Sequence, residues 1–282
     1  VTTKYWYLLS GILLGLMPLL LFVAIKKFDL LDIRPDQKIV YQSNGAQTLT
    51  LHVFEARNRT DDSPAPALLL FHGGRWLYGN PEQLYRQCQF FAAQGFTCFS
   101  AQYRLAPTTP PDVRGAVADA QSALRYLVEH AAKLHIDAAK ITIGGGSAGG
   151  HLAAAVGSGL PLTAGAASRP APHRPAAQIL YNPMLDLAPG TPDHHLVKDY
   201  WKDISPLHHL NSAVPPTLIL LGSQDPEVTV STAKAFCHGI ESVGGRCEIA
   251  LYEGQSHGFY NHQPYREKTN VRILEFLRAL NH

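Results

Sequence analysis

The sequence predicts an α/β fold, a mostly parallel sheet with helices on both faces, opened by an antiparallel hairpin. Three observations carry this. Short continuous apolar runs, such as "ALLLF" at 67–71 and "PTLILLGS" at 216–223, suit strands buried on both faces. Between such runs lie stretches with helical periodicity, as at Val113, Ala116, Val117, Ala120, Leu124 and Leu127. Near the start, Asn44-Gly45 stands between two apolar-rich runs within residues 38–56, a strong hairpin signal.

Taken in order, the hairpin is followed by "RNRTDDSPAP", which breaks the pattern, and then by the strand at 67–71. A helical stretch near 81–93 leads to the strand candidate "FTCFSAQYRL" (96–105) and to a helix from Asp112 to His130. "KITIG" (140–144) reads as a strand and the alanine-rich run after Ser147 as a helix. "AAQILYNPML" (176–185) and 216–223 read as strands, 231–243 as a helix, "CEIALYEG" (247–254) as a strand and 265–280 as a closing helix. Residues 157–176, rich in Gly, Ala and Pro, read as a surface loop, and residues 186–214 interrupt the alternation. Ligands of such a sheet bind beyond the carboxyl ends of its strands, where every motif below falls.

The chain has 282 residues, 46% of them hydrophobic, enough for one sizeable core. A formal charge of +2 with 16% charged residues offers no basic field for nucleic acid. The uncharged run from Tyr5 to Ile25 is about long enough to span a hydrocarbon core, so residues 1–27 are expected to form a hydrophobic helix acting as a membrane anchor or uncleaved signal. Residues 28–282 form the globular domain. Lys4 on one side and Lys26, Lys27 and Arg34 on the other do not orient the anchor. A periplasmic or extracytoplasmic side is the expectation, and secretion if the segment is cleaved. Cys88, Cys98, Cys237 and Cys247 lack metal-ligand spacing. They are expected as buried free thiols, because a helix packed on a sheet sits roughly 10 Å away, beyond disulfide reach.

The chemistry centres on "GGSAG", residues 145–149, a G-x-S-x-G between a strand and a helix-forming run. A sharp strand-to-helix turn would strain Ser147, require small neighbours and present its hydroxyl at the sheet edge, with a helix N-terminus behind it. Walker A is absent, and no acidic residue in 160–172 supports a dinucleotide fingerprint. "FHGGRW" (71–76) directly follows a strand and offers backbone amides to a developing oxyanion.

With "YRLAP" (103–107), "GGSAGGHL", "GSQDP" and "SHGF", these motifs resemble the hormone-sensitive-lipase-like branch of the α/β hydrolases, from about residue 38 to the C-terminus. The resemblance implies an α/β-hydrolase fold, no cofactor and a serine esterase. Its triad would be Ser147, Asp225 and His257, in the chain order of that fold. His257, in the loop after the last strand, would act as base, and Asp225, in the family's G-x-x-D, would orient it. Glu227 is the competing acid. The family implies an oxyanion hole from the amides of Gly73, Gly74 and Ala148. Arg75 departs from the triple-glycine form and is expected as a donor through its amide or a substrate contact through its side chain. His72 and His151 are read as structural, and the pairs His194-His195 and His208-His209 as surface residues, with no metal site. Asp119 lies inside a helix and Asp186 precedes the expected acid position.

The expected substrate is a small-molecule or carbohydrate ester with a short, acetyl-like acyl group, in a pocket whose one evident cover is residues 186–214. H-G-G-x-W also occurs in kynurenine-formamidase-like hydrolases, which cleave an N-formyl amide. A catalytically inactive binding protein on the same fold is the alternative from outside enzymology.

Overall fold

The computed structural model describes residues 33–44, 47–105, 112–160 and 174–281. The run from Tyr5 to Ile25 lies outside them, as do residues 106–107 of "YRLAP" and most of the loop expected at 157–176. Among the described residues no helix is long and apolar enough to cross a membrane.

Eight strands are described: β1 (Gln37–Asn44), β2 (Gln47–Phe54), β3 (Ala65–Phe71), β4 (Thr97–Ala101), β5 (Ile136–Gly146), β6 (Ala177–Tyr181), β7 (Thr217–Gly222) and β8 (Cys247–Tyr252). They form one sheet in the order β1-β2-β4-β3-β5-β6-β7-β8. The expected hairpin pairs β1 with β2, and β2 is antiparallel to β4. Pairing from β4 through β8 is parallel, and β3, β4, β6 and β7 are buried nearly throughout, as their continuous apolar runs require.

The helices are α1 (Tyr85–Ala93), α2 (Val113–Glu129), α3 (Ala148–Gly157), the four-residue α4 (His194–Val197) and α5 (Trp201–Ile204), α6 (Val230–Ser242) and α7 (Tyr265–Arg278). On α2 the apolar stripe from Val113 to Leu127 is buried, as its spacing predicts. α1 packs against α7, and α2 against α3. From β3 the chain crosses to β4 on one side, then returns past β3 to β5 on the other. The strand order therefore reverses around β3, which opens a crevice at the carboxyl ends of β3 and β5.

Asp119 is fully buried on α2. Its carboxylate accepts hydrogen bonds from the Arg104 backbone N (2.9 Å), Nε (2.7 Å) and Nη2 (2.6 Å), and from Gln42 Nε2 (2.9 Å). Removing Arg104 would strand the buried Asp119 carboxylate without its charge partner. It pins the segment after β4 to α2 and to β1.

The expectation of free thiols is corrected: Cys88 of α1 is bonded to Cys98 of β4, and Cys237 of α6 to Cys247 of β8. The spacing of roughly 10 Å between a helix and a sheet describes their axes. Each short α-to-β connection here brings an inward-facing helical residue over the start of the next strand, so the Cα atoms of each pair lie 5.1 Å apart, within disulfide range. Alkylation of the unfolded, unreduced protein is expected to modify no cysteine, and four alkylations would contradict the pairing. Replacing either pair with serine should cost about 3 kcal/mol of unfolding free energy, measurable by denaturant titration.

Candidate active site

Ser147 sits between β5 and α3 with φ 54° and ψ −116°, a left-handed backbone that a non-glycine residue adopts only when its surroundings enforce it. Those surroundings are backbone on one side and the Tyr260 side chain on the other. A Cβ on Gly149 would come within 2.0 Å of the Phe71 carbonyl oxygen, and one on Gly146 within 1.8 Å of the Tyr260 hydroxyl. The glycines flanking Ser147 are thus demanded by close approach, and the strain falls on the serine itself.

The structure brings together the three residues predicted as a triad. Asp225 follows β7, and His257 lies in the loop after β8. His257 Nδ1 lies 2.8 Å from Asp225 Oδ2, so that nitrogen carries the proton and donates a hydrogen bond to the carboxylate. Nε2 is then the acceptor for the Ser147 hydroxyl, 2.9 Å away. Asp225 Oδ1 accepts the backbone N–H groups of Glu227 (2.8 Å) and Val228 (2.9 Å), which fix the carboxylate. Burial opposes charging His257, but the hydrogen bond to Asp225 and the charges of Asp225, Glu227 and Asp193 outweigh it. The pKa lies above the ordinary histidine value. Glu227, the rival acid, does not reach Nδ1; its Oε2 stands 3.7 Å from Nε2.

Around "HGGRW" the three predicted amides differ. Those of Gly74 and Ala148 have no acceptor among the described residues, whereas Gly73 N–H donates to Gln83 Oε1 at 2.6 Å. The Arg75 guanidinium is held by Asp193, with Nε 3.1 Å from Oδ1, and Arg75 also lines the pocket. His72 is buried, stacked on Tyr103, and donates from Nδ1 to Gly73 O at 2.8 Å. Desolvation pushes its pKa down to about 4. His151 on α3, likewise lowered by burial to about 4, accepts from Trp76 Nε1 (3.3 Å) and donates from Nε2 to Ile204 O (2.8 Å). Both histidines serve structure, as read from the sequence.

The pocket at Ser147 encloses about 190 Å³. None of the residues lining it comes from 186–214, the expected cover. That segment folds onto its own bonds, with Ser205 Oγ accepting Leu187 N–H (3.1 Å), and meets the "HGGRW" loop through Asp193 and His151 of α3 through the Ile204 carbonyl. His194 and His208 bond within it, to Leu187 O and Ser205 Oγ, and no metal-binding group of three ligands occurs among the described residues. Asp186 Oδ1 accepts Ala188 N–H at 2.9 Å, closing a local turn in the same segment.

Sequence reading missed Gln83, Asp193 and Asn182. Asn182, buried after β6 with φ 31°, accepts Gly258 N–H at 3.4 Å and turns its Nδ2 toward His257 Nε2, also at 3.4 Å. Its signal was an Asn-Pro at a strand end, a pattern equally typical of ordinary turns.

A family model described as alpha/beta hydrolase fold matches residues 68–204. Esterase LipC of Mycobacterium tuberculosis is 26% identical over 79% of this chain and 59% of its own length. Esterase LipQ of the same organism is 28% identical over 73% and 52%. The chain thus spans about half to three-fifths of these two relatives. A thermophilic esterase of Thermogutta terrifontis, solved with propionate bound, is 33% identical with a TM-score of 0.78, covering 86% of this chain and 94% of that one. With the strained serine turn, the reversed strand order and these likenesses in agreement, the chain belongs to the α/β hydrolase fold family, in its hormone-sensitive-lipase-like esterase branch.

Proposed function

We propose that the protein is a serine carboxylesterase that hydrolyses short-chain, acetyl-like esters of small molecules or carbohydrates through Ser147, His257 and Asp225. The observation that carries the reading is the continuous hydrogen-bond chain from Ser147 Oγ through both nitrogens of His257 to Asp225. His257 Nε2 takes the hydroxyl proton as Ser147 attacks the ester carbonyl. The amides of Gly74 and Ala148 hold the resulting oxyanion, and Gly73 joins them by exchanging Gln83 for it. The tetrahedral species collapses, the C–O bond breaks, and His257 returns the proton to the departing alcohol. Water, deprotonated by the same nitrogen, then cleaves the acyl-enzyme.

The space beside Ser147 supports a short acyl group. A volume of about 190 Å³ falls below the common range for ligand pockets, about 300–1,000 Å³, and suits a small acyl group. As to location, the two disulfides favour an oxidising, extracytoplasmic compartment, with residues 5–25 as the attachment to the membrane.

Across p-nitrophenyl esters, kcat/KM is expected to be highest for acetate to butyrate and to fall steeply by decanoate; equal values for acetate and decanoate would overturn the short-acyl assignment. The base must be neutral to act, and the His257 pKa is raised. Log kcat/KM should therefore fall with decreasing pH around a midpoint above 6.5. Asp225→Asn should reduce kcat by about 10⁴-fold while leaving the circular dichroism spectrum unchanged, and retention of near-wild-type kcat would remove Asp225 from the triad.

A further inference from the structure

We propose that Glu227 selects the substrate, favouring esters whose alcohol portion carries a positive charge; the inference rests on the serine-esterase reading above. His257 stands between two carboxylates that meet opposite nitrogens. Asp225 bonds Nδ1, while Glu227 Oε2 lies 3.7 Å from Nε2, the nitrogen that also receives the Ser147 proton. Nε2 must hand its proton to the leaving alcohol, so the alcohol oxygen stands within hydrogen-bond reach of it. A carboxylate on that side borders the alcohol rather than the acyl group.

The other charges near the pocket are already matched. Arg75 is engaged by Asp193, which is itself buried. Asp225 is enclosed, its oxygens committed to His257 and to the amides of Glu227 and Val228. Glu227 is different: it lines the pocket with its side chain 31% exposed, its charge reaches His257 and Arg75 only through space, and among the described residues its carboxylate oxygens accept no hydrogen bond. Its placement is local, since its own N–H is held by Asp225 Oδ1 at 2.8 Å. At the same mouth Tyr78, 61% exposed, offers an aromatic face that attracts the same kind of charge.

A cation about 6 Å from a partly exposed carboxylate, at an effective dielectric constant between those of protein and water, gains about tenfold in kcat/KM over a neutral group of the same shape. A negative group there is disfavoured in the same measure. Because the charge is open to solvent, added salt should weaken the preference.

The test uses two acetates of equal shape, 2-(trimethylammonio)ethyl acetate and its uncharged isostere 3,3-dimethylbutyl acetate, with p-nitrophenyl acetate as reference. In the wild-type protein the charged ester should be preferred about tenfold in kcat/KM at low salt, the preference declining as salt rises. In Glu227→Gln the ratio of the two should fall close to one. A wild-type ratio at or below one, or a preference that Glu227→Gln leaves intact, overturns the inference while p-nitrophenyl acetate is still hydrolysed. Failure to hydrolyse all three esters overturns the esterase reading, and the charge preference with it. The wild-type ratio and its salt dependence need no variant to fold.

Discussion

The rest of the site depends on the backbone of one residue. Ser147 is held in a left-handed conformation because β5 must leave the sheet and turn at once into α3, against the Phe71 and His72 carbonyls on one side and the Tyr260 hydroxyl on the other. Side chains larger than hydrogen at Gly146 or Gly149 would force these apart. The strain is local, and the packed sheet around it over-determines the turn. With Ser147 fixed, the loop after β8 need only deliver an imidazole to its hydroxyl, and the loop after β7 a carboxylate to that imidazole.

The loop that faces the serine is fixed by a second set of contacts, mostly polar and buried. Asp119 holds Arg104, the neighbouring Tyr103 donates to the His72 carbonyl at 3.0 Å, and His72 packs on Tyr103. On the other flank Trp76 meets His151, which in turn meets Ile204, while Arg75 meets Asp193. The "HGGRW" loop is thus tied to the helix that follows Ser147 and to the segment 186–214. Polar networks of this kind specify one arrangement because a partly satisfied version would leave buried groups unpaired. The departure from a triple glycine at Arg75 has a structural counterpart, since the guanidinium serves as a tie to that segment.

Most of the fold was legible because its signals are periodic. Buried parallel strands read as apolar runs, α2 as a helical stripe, and Asn44-Gly45 as a hairpin. Ser147, Asp225 and His257 were legible because each lies just past a strand in a recognisable motif. The disulfides were not, since whether a helical cysteine converges on the next strand is set by packing that no local pattern encodes. Gln83, Asn182 and Asp193 escaped for a related reason: polar residues in turns are common, and their meaning comes from the partner across the fold. Glu227 was visible only as a rival acid, because its place beside Nε2 depends on the way Asp225 folds its own loop.

In the proposed function the turn at residue 147 holds an activated serine. Labelling the intact protein with a fluorophosphonate, followed by peptide mass spectrometry, tests this most directly. One adduct per chain is expected, on Ser147, lost in Ser147→Ala and strongly slowed at pH values where His257 is protonated. An adduct on another residue, or none on a folded protein, would contradict it.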